Sequence, residues 1–251
     1  MLVMGILNVT PDSFADGGKH NDYESAVARG LEMISEGVDI IDIGGESTRP
    51  GADRVSEEEE IARTIPVIKE LAKHGAKISI DTMRASTAKA AITAGASIIN
   101  DVSGGLADPS MLQTAAELKV PYIAMHWRGQ SKDMNSKAIY GDVVSDVISE
   151  LQERISAALD AGISADNLII DPGLGFAKDA DHNWAIIDAV DQFVALGYPV
   201  LVGASRKRFL GGDTPDEREQ ATIDLTKRLA PTGVWAVRVH SVKPHKEVLS
   251  V

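Results

Sequence analysis

Eight short runs of Val, Ile, Leu and Ala recur along the chain, and each run ends in polar residues instead of an ordinary turn. Runs of this length, separated by helical patterns, are typical of buried parallel strands in βα units. The predicted strands cover residues 2–7, 39–43, 77–80, 97–99, 122–125, 168–170, 200–202 and 235–239.

Helical patterns of apolar residues fill the intervals between these strands. They cover residues 23–35, 57–74, 85–94, 109–118, 143–161, 182–196 and 217–229, and residues 241–251 remain for a short closing helix. Ser56 and Glu59 have the spacing of a capping box, so the acidic run at 57–60 predicts a helix start. Several patterns end in glycine, which adopts the left-handed conformation at a helix end most easily: Gly37, Gly75, Gly95, Gly162 and Gly197.

Eight such units predict an α/β fold, a (β/α)8 or TIM barrel that spans residues 1–251 as a single domain. In this architecture the carboxyl ends of all strands share one face of the barrel. The polar residues at the ends of the runs would then surround one pocket: Asn8, Asp81, Asn100, Asp171, Lys207, Arg238 and His240.

Two predicted loops, residues 8–22 and 44–56, are long for connections that follow a barrel strand. The first contains the sequence TPDSFADGG and the second contains ESTRPG, with Gly and Pro where turns are needed. Long loops on the carboxyl face of a barrel are frequently binding loops or lids. We therefore expect both loops to contribute to the pocket.

Composition narrows the function further. The 251 residues carry a formal net charge of −12, which disfavours a nucleic-acid or anionic-membrane binder, because such partners need an extended basic surface. The chain contains no Cys, which excludes disulfides and is compatible with a reducing cytosol. The apolar run at residues 1–9 is too short for a membrane span and lacks a basic leader.

A local basic site is present despite the acidic total. The run Ser205-Arg206-Lys207-Arg208 follows the seventh predicted strand, where cations are well placed to bind anionic groups. Arg238 and His240 are separated by one residue, so both side chains project from the same face of the eighth strand. The sequence contains no HExxH or CxxC cluster, which argues against a structural zinc site.

Seven strings in order along the chain resemble those of the dihydropteroate synthases of the folate pathway: MGILNVTPDSFADGG, DIGGESTRPGA, SIDTMR, INDVSGG, DPGLGF, GASRKRF and RVH. Those enzymes are transferases that join 6-hydroxymethyl-7,8-dihydropterin pyrophosphate to p-aminobenzoate, forming 7,8-dihydropteroate and pyrophosphate. The resemblance implies Mg²⁺ as cofactor, a cytoplasmic homodimer and a sulfonamide target. The chain departs from the common pattern at Ser241, where many members have Asp, and at Arg208, where some have a hydroxyl residue.

The resemblance also implies roles for individual residues. A pterin edge of donors with a keto oxygen suits carboxylates and an amide, while departing pyrophosphate needs cations and a metal. Asp81, Lys207, Arg238 and His240 are implied as catalytic and substrate-binding, and Asn8 as the magnesium ligand. The other implied substrate-binding residues are Phe14, Thr48, Arg49, Pro50, Asn100, Met125, Asp171, Phe176, Gly203 and Ser205.

Several alternatives stay open at the level of sequence. Asp81 and Asp171 also suit turn or N-cap positions, and Asp101 is expected to brace its loop. Ser205, Arg208 and backbone amides compete for the p-aminobenzoate carboxylate. Competing functions are a catalytically silent pterin-binding paralogue and a pterin-dependent methyltransferase, although the latter should lack the ESTRPG and SRK strings.

Overall fold

The computed structural model of the chain describes residues 1–10, 18–46, 54–130 and 134–250. Within these residues eight parallel strands form one sheet, as predicted. The strands are β1 (Leu2–Asn8), β2 (Ile40–Gly44), β3 (Ile78–Asp81), β4 (Ile98–Asp101), β5 (Tyr122–Met125), β6 (Leu168–Asp171), β7 (Leu201–Val202) and β8 (Ala236–Val239).

The sheet closes into a barrel. Its strand order is β6-β5-β4-β3-β2-β1-β8-β7, and a parallel bridge between Ile170 and Val200 joins the two outer strands. The amide of Ile170 donates to the carbonyl of Pro199 at 2.9 Å across this seam. The predicted (β/α)8 barrel is therefore confirmed, with the carboxyl ends of its strands on one face.

Helices follow each strand on the outside of the barrel. In the described residues they are α1 (Gly18–Ser35), α2 (Glu57–Ala72), α3 (Ala85–Ala94), α4 (Met111–Leu118), α5 (Val143–Asp160), α6 (Ala180–Asp188), α7 (Val190–Val194), α8 (Glu217–Leu229) and α9 (Lys243–Leu249). None of them is long and apolar enough to cross a membrane.

The helix predicted at 182–196 is wrong in one respect, because the chain forms α6 and α7 there. Ala189 breaks the helical geometry with φ −104° and ψ 20°. Ile186 and Ile187 before the break and Val190 and Phe193 after it are all buried. Because both helices bury their apolar faces in the same core, the apolar periodicity continues across the break and does not reveal it.

Asp179 begins α6 with an unusual capping box. Its side chain accepts a hydrogen bond from the backbone N–H of His182 at 2.8 Å, and its own N–H donates to Nδ1 of His182 at 3.3 Å. A capping box usually has Glu or Gln at this third position, so the sequence pattern does not reveal the box formed with His182. The helix therefore begins earlier than predicted, at Ala180.

The interior of the barrel holds a separate apolar layer. Since successive side chains on a strand alternate between its two faces, one set packs beneath the helices and the other fills the barrel. The residues of the inner layer form one buried cluster: Met4, Ile40, Ile98, Ile123, Ile169, Leu201 and Ala236.

Helix ends follow most of the predicted chemistry, although only the Ser56 half of the expected capping box forms, because the Glu59 carboxylate pairs with Arg63. All five glycines predicted at helix ends have positive φ, for example Gly95 at 118°. At the start of α2, the Ser56 side chain accepts a hydrogen bond from the Glu59 backbone N–H at 3.2 Å. Ser110 occupies the equivalent position before α4 but makes no such bond.

Replacing Ser56 with Ala should lower the free energy of unfolding by about 1 kcal/mol, because the helix loses its capping acceptor. Ser110→Ala is the matched control, since its hydroxyl caps nothing, and it should leave stability unchanged. Chemical denaturation of both variants measures the difference. Equal losses in the two would contradict the capping assignment.

Candidate active site

Polar side chains form the next layer of the barrel interior. The position two residues after each member of the apolar inner layer projects to the same side, toward the open carboxyl end. On β2 this position is Asp42, on β4 Asn100, on β6 Asp171 and on β8 Arg238. The same spacing places Asp81 after the buried Ser79 on β3.

Arg238 links two carboxylates at the centre of this layer. Its Nε donates to Oδ2 of Asp42 at 2.6 Å, and one terminal nitrogen donates to Oδ2 of Asp81 at 2.7 Å. The Asn100 amide donates to the same Asp42 oxygen at 3.0 Å. Four strands therefore supply one connected set of charged and polar groups.

Burial changes the acidity of Asp81. Desolvation raises its pKa to about 7, with the charge of Arg238 opposing the rise and the charge of Asp42 adding to it. Two carboxylates share one guanidinium here, so one negative charge is not balanced within the trio. The pocket therefore favours a cation or a hydrogen-bond donor next to Asp81.

Asp171 ends β6, and its two carboxylate oxygens have different surroundings. Its Oδ1 accepts a hydrogen bond from the backbone N–H of Gly173 at 2.7 Å, so the turn role weighed from sequence is present. Its Oδ2 faces Gly203, where an added Cβ would lie only 3.7 Å away. Burial raises the pKa of Asp171, while that backbone hydrogen bond and the charge of Lys207 oppose the rise.

The basic run after β7 points in several directions. Arg206 has φ 58° and turns outward, where it donates to Glu219 at 2.6 Å and to Ser241 at 2.8 Å. Arg208 is exposed. Lys207 turns inward, donates to the carbonyl of Leu174 and places its Nζ 4.6 Å from the centre of the Phe176 ring.

Lys207 is the cation of this side of the pocket. Burial lowers its pKa to about 8, with the charge of Asp171 opposing the change and that of Arg238 adding to it. The contact with the Phe176 ring is of the cation–π kind. An ammonium with a lowered pKa beside a carboxylate suits recognition of a polar heterocycle.

Ser205 and His240 contact each other across the mouth. Oγ of Ser205 lies 2.9 Å from Nδ1 of His240 and accepts from the His240 backbone N–H at 3.2 Å. The Ser205 hydroxyl therefore has a partner directly after β8, and its predicted role toward the p-aminobenzoate carboxylate stays a prediction.

The remaining predicted residues divide into two groups. Asn8 and Met125 are the last residues of β1 and β5 at the same rim, and Phe176 packs against the cluster that includes Met125. Four others lie outside the residues that the structure describes: Phe14, Thr48, Arg49 and Pro50.

Asp101 braces its loop, as expected. Its side chain accepts from the backbone N–H groups of Ser103 and Gly105, both at 2.8 Å, and from the Tyr122 hydroxyl at 2.8 Å. It is fully buried, but its acceptor oxygens are already used within the loop. Asn100, one residue earlier, is the member of the pair that belongs to the pocket layer.

Asp42 is missing from the predicted site residues, although it is fully buried against Arg238. The available signal was a charged residue inside the apolar strand sequence IIDIG, in phase with Ile40. Asp42 is also the first residue of the string DIGGESTRPGA, but it lies two residues before the end of the strand at Gly44, and no role is predicted for it from the sequence. In the part of the chain that the structure describes, no group of three or more His, Cys, Asp or Glu residues could hold a metal ion.

Comparison with known proteins identifies the class. The sequence profile of a family described as "Pterin binding enzyme" matches residues 4–240. The chain therefore belongs to the pterin binding enzymes.

Relatives narrow the class further. The dihydropteroate synthase of Mycobacterium leprae is 48% identical over 259 residues, covering 99% of this chain and 91% of the relative. The Xanthomonas albilineans dihydropteroate synthase with 4-aminobenzoic acid has a TM-score of 0.93 and 44% identity, covering 99% of this chain and 90% of that one. The structure of the Xanthomonas albilineans enzyme in complex with 7,8-dihydropteroate has a TM-score of 0.90 and 40% identity, covering 99% of this chain and 91% of that one. Within its class the chain is a member of the dihydropteroate synthases.

Pterin affinity should depend on pH through two groups of the pocket, Asp81 and Lys207. Asp81 is a charged acceptor at both oxygens only when ionised, so affinity for the donor edge of the pterin should fall as pH drops below about 7. Lys207 carries its charge only below about 8, so affinity should fall again above that value. Fluorescence titration of a pterin across this range measures both limbs.

Lys207→Arg is the control, because a guanidinium keeps its charge to much higher pH. In this variant the loss of pterin affinity at alkaline pH should begin at a higher pH. Ionisation of the pterin itself affects both proteins equally and therefore cannot produce that difference. An unchanged alkaline limb in this variant would contradict the role given to Lys207.

Proposed function

We propose that this pocket carries out the dihydropteroate synthase reaction by dissociative substitution at the pterin methylene. The main observation that supports this proposal is the position of Arg238, which pairs with both Asp42 and Asp81 at the mouth of the barrel. Lys207 and Asp171 lie on the neighbouring side of the same pocket. One wall presents acceptors to the heterocycle, and the strand that provides Arg238 also leads to His240 for the departing anion.

The pterin wall consists of Asp81, Asn100, Asp171 and Lys207. Carboxylates accept hydrogen bonds from the guanidine-like edge of the ring, and Lys207 donates to the keto oxygen or a ring nitrogen. Gly203 supports this arrangement because a side chain there would occupy the space beside Asp171. Burial of these groups strengthens their interaction with a ring that replaces water.

The anion wall consists of Arg238 and His240, with Arg49 as a further predicted member. The donor set at this rim also fits magnesium, because Asn8 provides an amide oxygen, and Mg²⁺ keeps several waters while binding substrate phosphates. Bound there, the ion would neutralise charge that develops on the leaving oxygens. Asn8 is thus the residue that we propose to hold it.

The reaction balances without a covalent link to the protein. The bond between the methylene carbon and the pyrophosphate oxygen breaks, and its electron pair leaves with the pyrophosphate. The amine of p-aminobenzoate then supplies the electron pair of the new carbon–nitrogen bond and loses one proton. Asp81 stabilises the positive charge that develops on the pterin between these events, because its carboxylate faces the ring from a buried site.

The second substrate would bind at the outer rim. Phe176 lies beside Lys207 and supplies an aromatic face there. Phe14, Thr48 and Pro50 are the further residues predicted for this subsite, with Ser205 for the carboxylate. The solved Xanthomonas albilineans relative holding 4-aminobenzoic acid supports p-aminobenzoate as the second substrate.

Assembly and location are further parts of the proposal. A homodimer and a cytoplasmic location follow from the family resemblance, and the lack of Cys is compatible with a reducing compartment. Sedimentation of the purified chain measures the oligomeric state. A sulfonamide that competes with p-aminobenzoate would support the drug-target prediction.

The direct test incubates the purified chain with dihydropterin pyrophosphate, p-aminobenzoate and magnesium, and detects dihydropteroate by mass spectrometry. A silent paralogue would bind the pterin and form no product, although Asp81, Lys207, Arg238 and His240 are all present here. A methyltransferase would leave p-aminobenzoate unchanged. Either result would overturn the proposed function.

Asp81→Asn and Lys207→Ala should each reduce turnover by about 100-fold or more, because each removes a charge aimed at the ring. Circular dichroism should show an intact fold. Asp188→Asn is a control for charge loss, since Asp188 pairs with Arg228 on the exposed outside of the barrel. Near-normal turnover in either pocket variant would remove that residue from the proposed chemistry.

Chelation of magnesium should abolish turnover without unfolding the barrel, because the anion wall would lose its metal while the apolar core is untouched. Restoring excess Mg²⁺ should restore the rate. Asn8→Ala should raise the Mg²⁺ concentration that gives half-maximal rate. Full activity in excess chelator would contradict the metal assignment.

A further inference from the structure

Lys178 is a buried cation outside the pocket. It lies between β6 and α6, is 8% exposed, and uses its ammonium for three hydrogen bonds. These reach Nδ1 of His126 at 2.9 Å and the carbonyls of Gly173 and Phe176, both at 3.1 Å. All three acceptors are uncharged. Burying an ammonium costs free energy, and an apolar side chain would fill the same space without that cost. The three hydrogen bonds therefore indicate that Lys178 fixes the groups that accept them.

His126 extends these contacts to the outside of the barrel. The Glu150 carboxylate can only accept, so Nε2 of a neutral His126 carries the proton and donates to it at 2.9 Å, and Nδ1 accepts from Lys178. Burial lowers the pKa of Lys178 to about 7, whereas its three acceptors favour the ammonium form. Burial lowers the pKa of His126 to about 4, consistent with this neutral ring. Arg128 holds Glu150 from the other side at 3.0–3.1 Å.

The segment fixed by Lys178 carries several groups of the pterin wall. Gly173 donates to Asp171, the carbonyl of Leu174 accepts from Lys207, and the ring of Phe176 lies against the Lys207 ammonium. The backbone curls sharply here, with positive φ at Gly173 (68°), Gly175 (74°) and Ala177 (49°). Lys178 bridges two carbonyls within this curl, those of Gly173 and Phe176.

We propose that Lys178 is a positioning residue for pterin binding, an inference that rests on the proposed function. Its ammonium holds residues 171–178 in the curl that orients Asp171 and Lys207 toward the ring. It touches neither substrate. Arg238 and His240 have separate supports, Asp42 and Asp81 for the first and Ser205 for the second, so the anion wall does not depend on Lys178.

This separation distinguishes positioning from a general contribution to stability. A residue that merely stabilises the barrel would, when replaced, weaken both walls or neither. A residue that positions the curl would weaken the pterin wall alone. The two ligands of the pocket can therefore be measured independently as reporters of the two walls.

The experiment compares Lys178→Met with the unaltered chain. Met has a similar length and no charge, so it fills the space while the Phe176 carbonyl loses the ammonium and the Gly173 carbonyl keeps only its hydrogen bond from the Phe176 N–H. We expect affinity for 6-hydroxymethylpterin to fall about tenfold or more, as measured by fluorescence quenching, because hydrogen bonds to a charged group are lost. Calorimetric affinity for pyrophosphate in the presence of magnesium should stay unchanged.

Lys246→Met is the matched control, because Lys246 also pairs with polar groups but binds Asp39 at the start of β2, opposite the pocket. It should alter neither affinity. If Lys178→Met does not fold, Lys178→Gln replaces it: its neutral amide offers two donors for three acceptors, so pterin affinity should fall less than with Met but still measurably, and pyrophosphate affinity should again stay unchanged.

Unchanged pterin affinity, or an equal loss for both ligands, would overturn the proposal. Failure of the proposed function is a different result, namely no dihydropteroate from the unaltered chain. The pterin and pyrophosphate affinities test the role of Lys178 whether or not the unaltered chain forms dihydropteroate.

Discussion

The pocket depends on one buried interaction, the pairing of Arg238 with both Asp42 and Asp81. The three side chains come from β8, β2 and β3, and Asp42 has no exposed surface. Removing one partner from such a group leaves a buried charge uncompensated, which typically costs about 3–5 kcal/mol. The trio also has one more carboxylate than cations, and that imbalance is part of why the pKa of Asp81 is raised. In the proposed reaction the positive charge developing on the pterin would supply the missing cation.

The alternation of strand side chains explains how much of the site was predictable. Asp81 and Asp171 end their strands, Asn100 falls one residue before the end of β4, and Arg238 belongs to the RVH string, so the sequence marks all four. They share a layer because each lies two residues beyond a buried inner position. Asp42 obeys the same rule but lies inside its strand, so a search of strand ends misses it.

Contacts between distant segments were not predictable in this way. Ser205 meets His240, and Arg206 turns away from Lys207, because the backbone at Arg206 takes a positive φ that no periodicity encodes. The break at Ala189 is hidden for a related reason, since burial continues on both sides of it. Lys178 belongs to a connection without any repeating pattern, and its long side chain contacts His126 directly after β5 and carbonyls of its own loop. Contacts between segments so far apart in the chain form only because the barrel closes, and the local sequence does not encode them.

Net charge and local charge act at different distances in this molecule. The formal charge of −12 should repel a pyrophosphate-bearing substrate at long range, yet ions in solution screen charges beyond about 8 Å at physiological ionic strength. Within the mouth, Arg238 and Lys207 are half-buried among carboxylates, where screening is weaker than in open solvent and hydrogen-bonded ion contacts are stronger. The acidic surface therefore influences the rate of encounter, whereas the few cations of the mouth determine whether an anion is held. Because those cations are balanced by Asp42, Asp81 and Asp171, the empty pocket is not strongly basic, and an anion alone is a poorer match than an anion joined to a pterin.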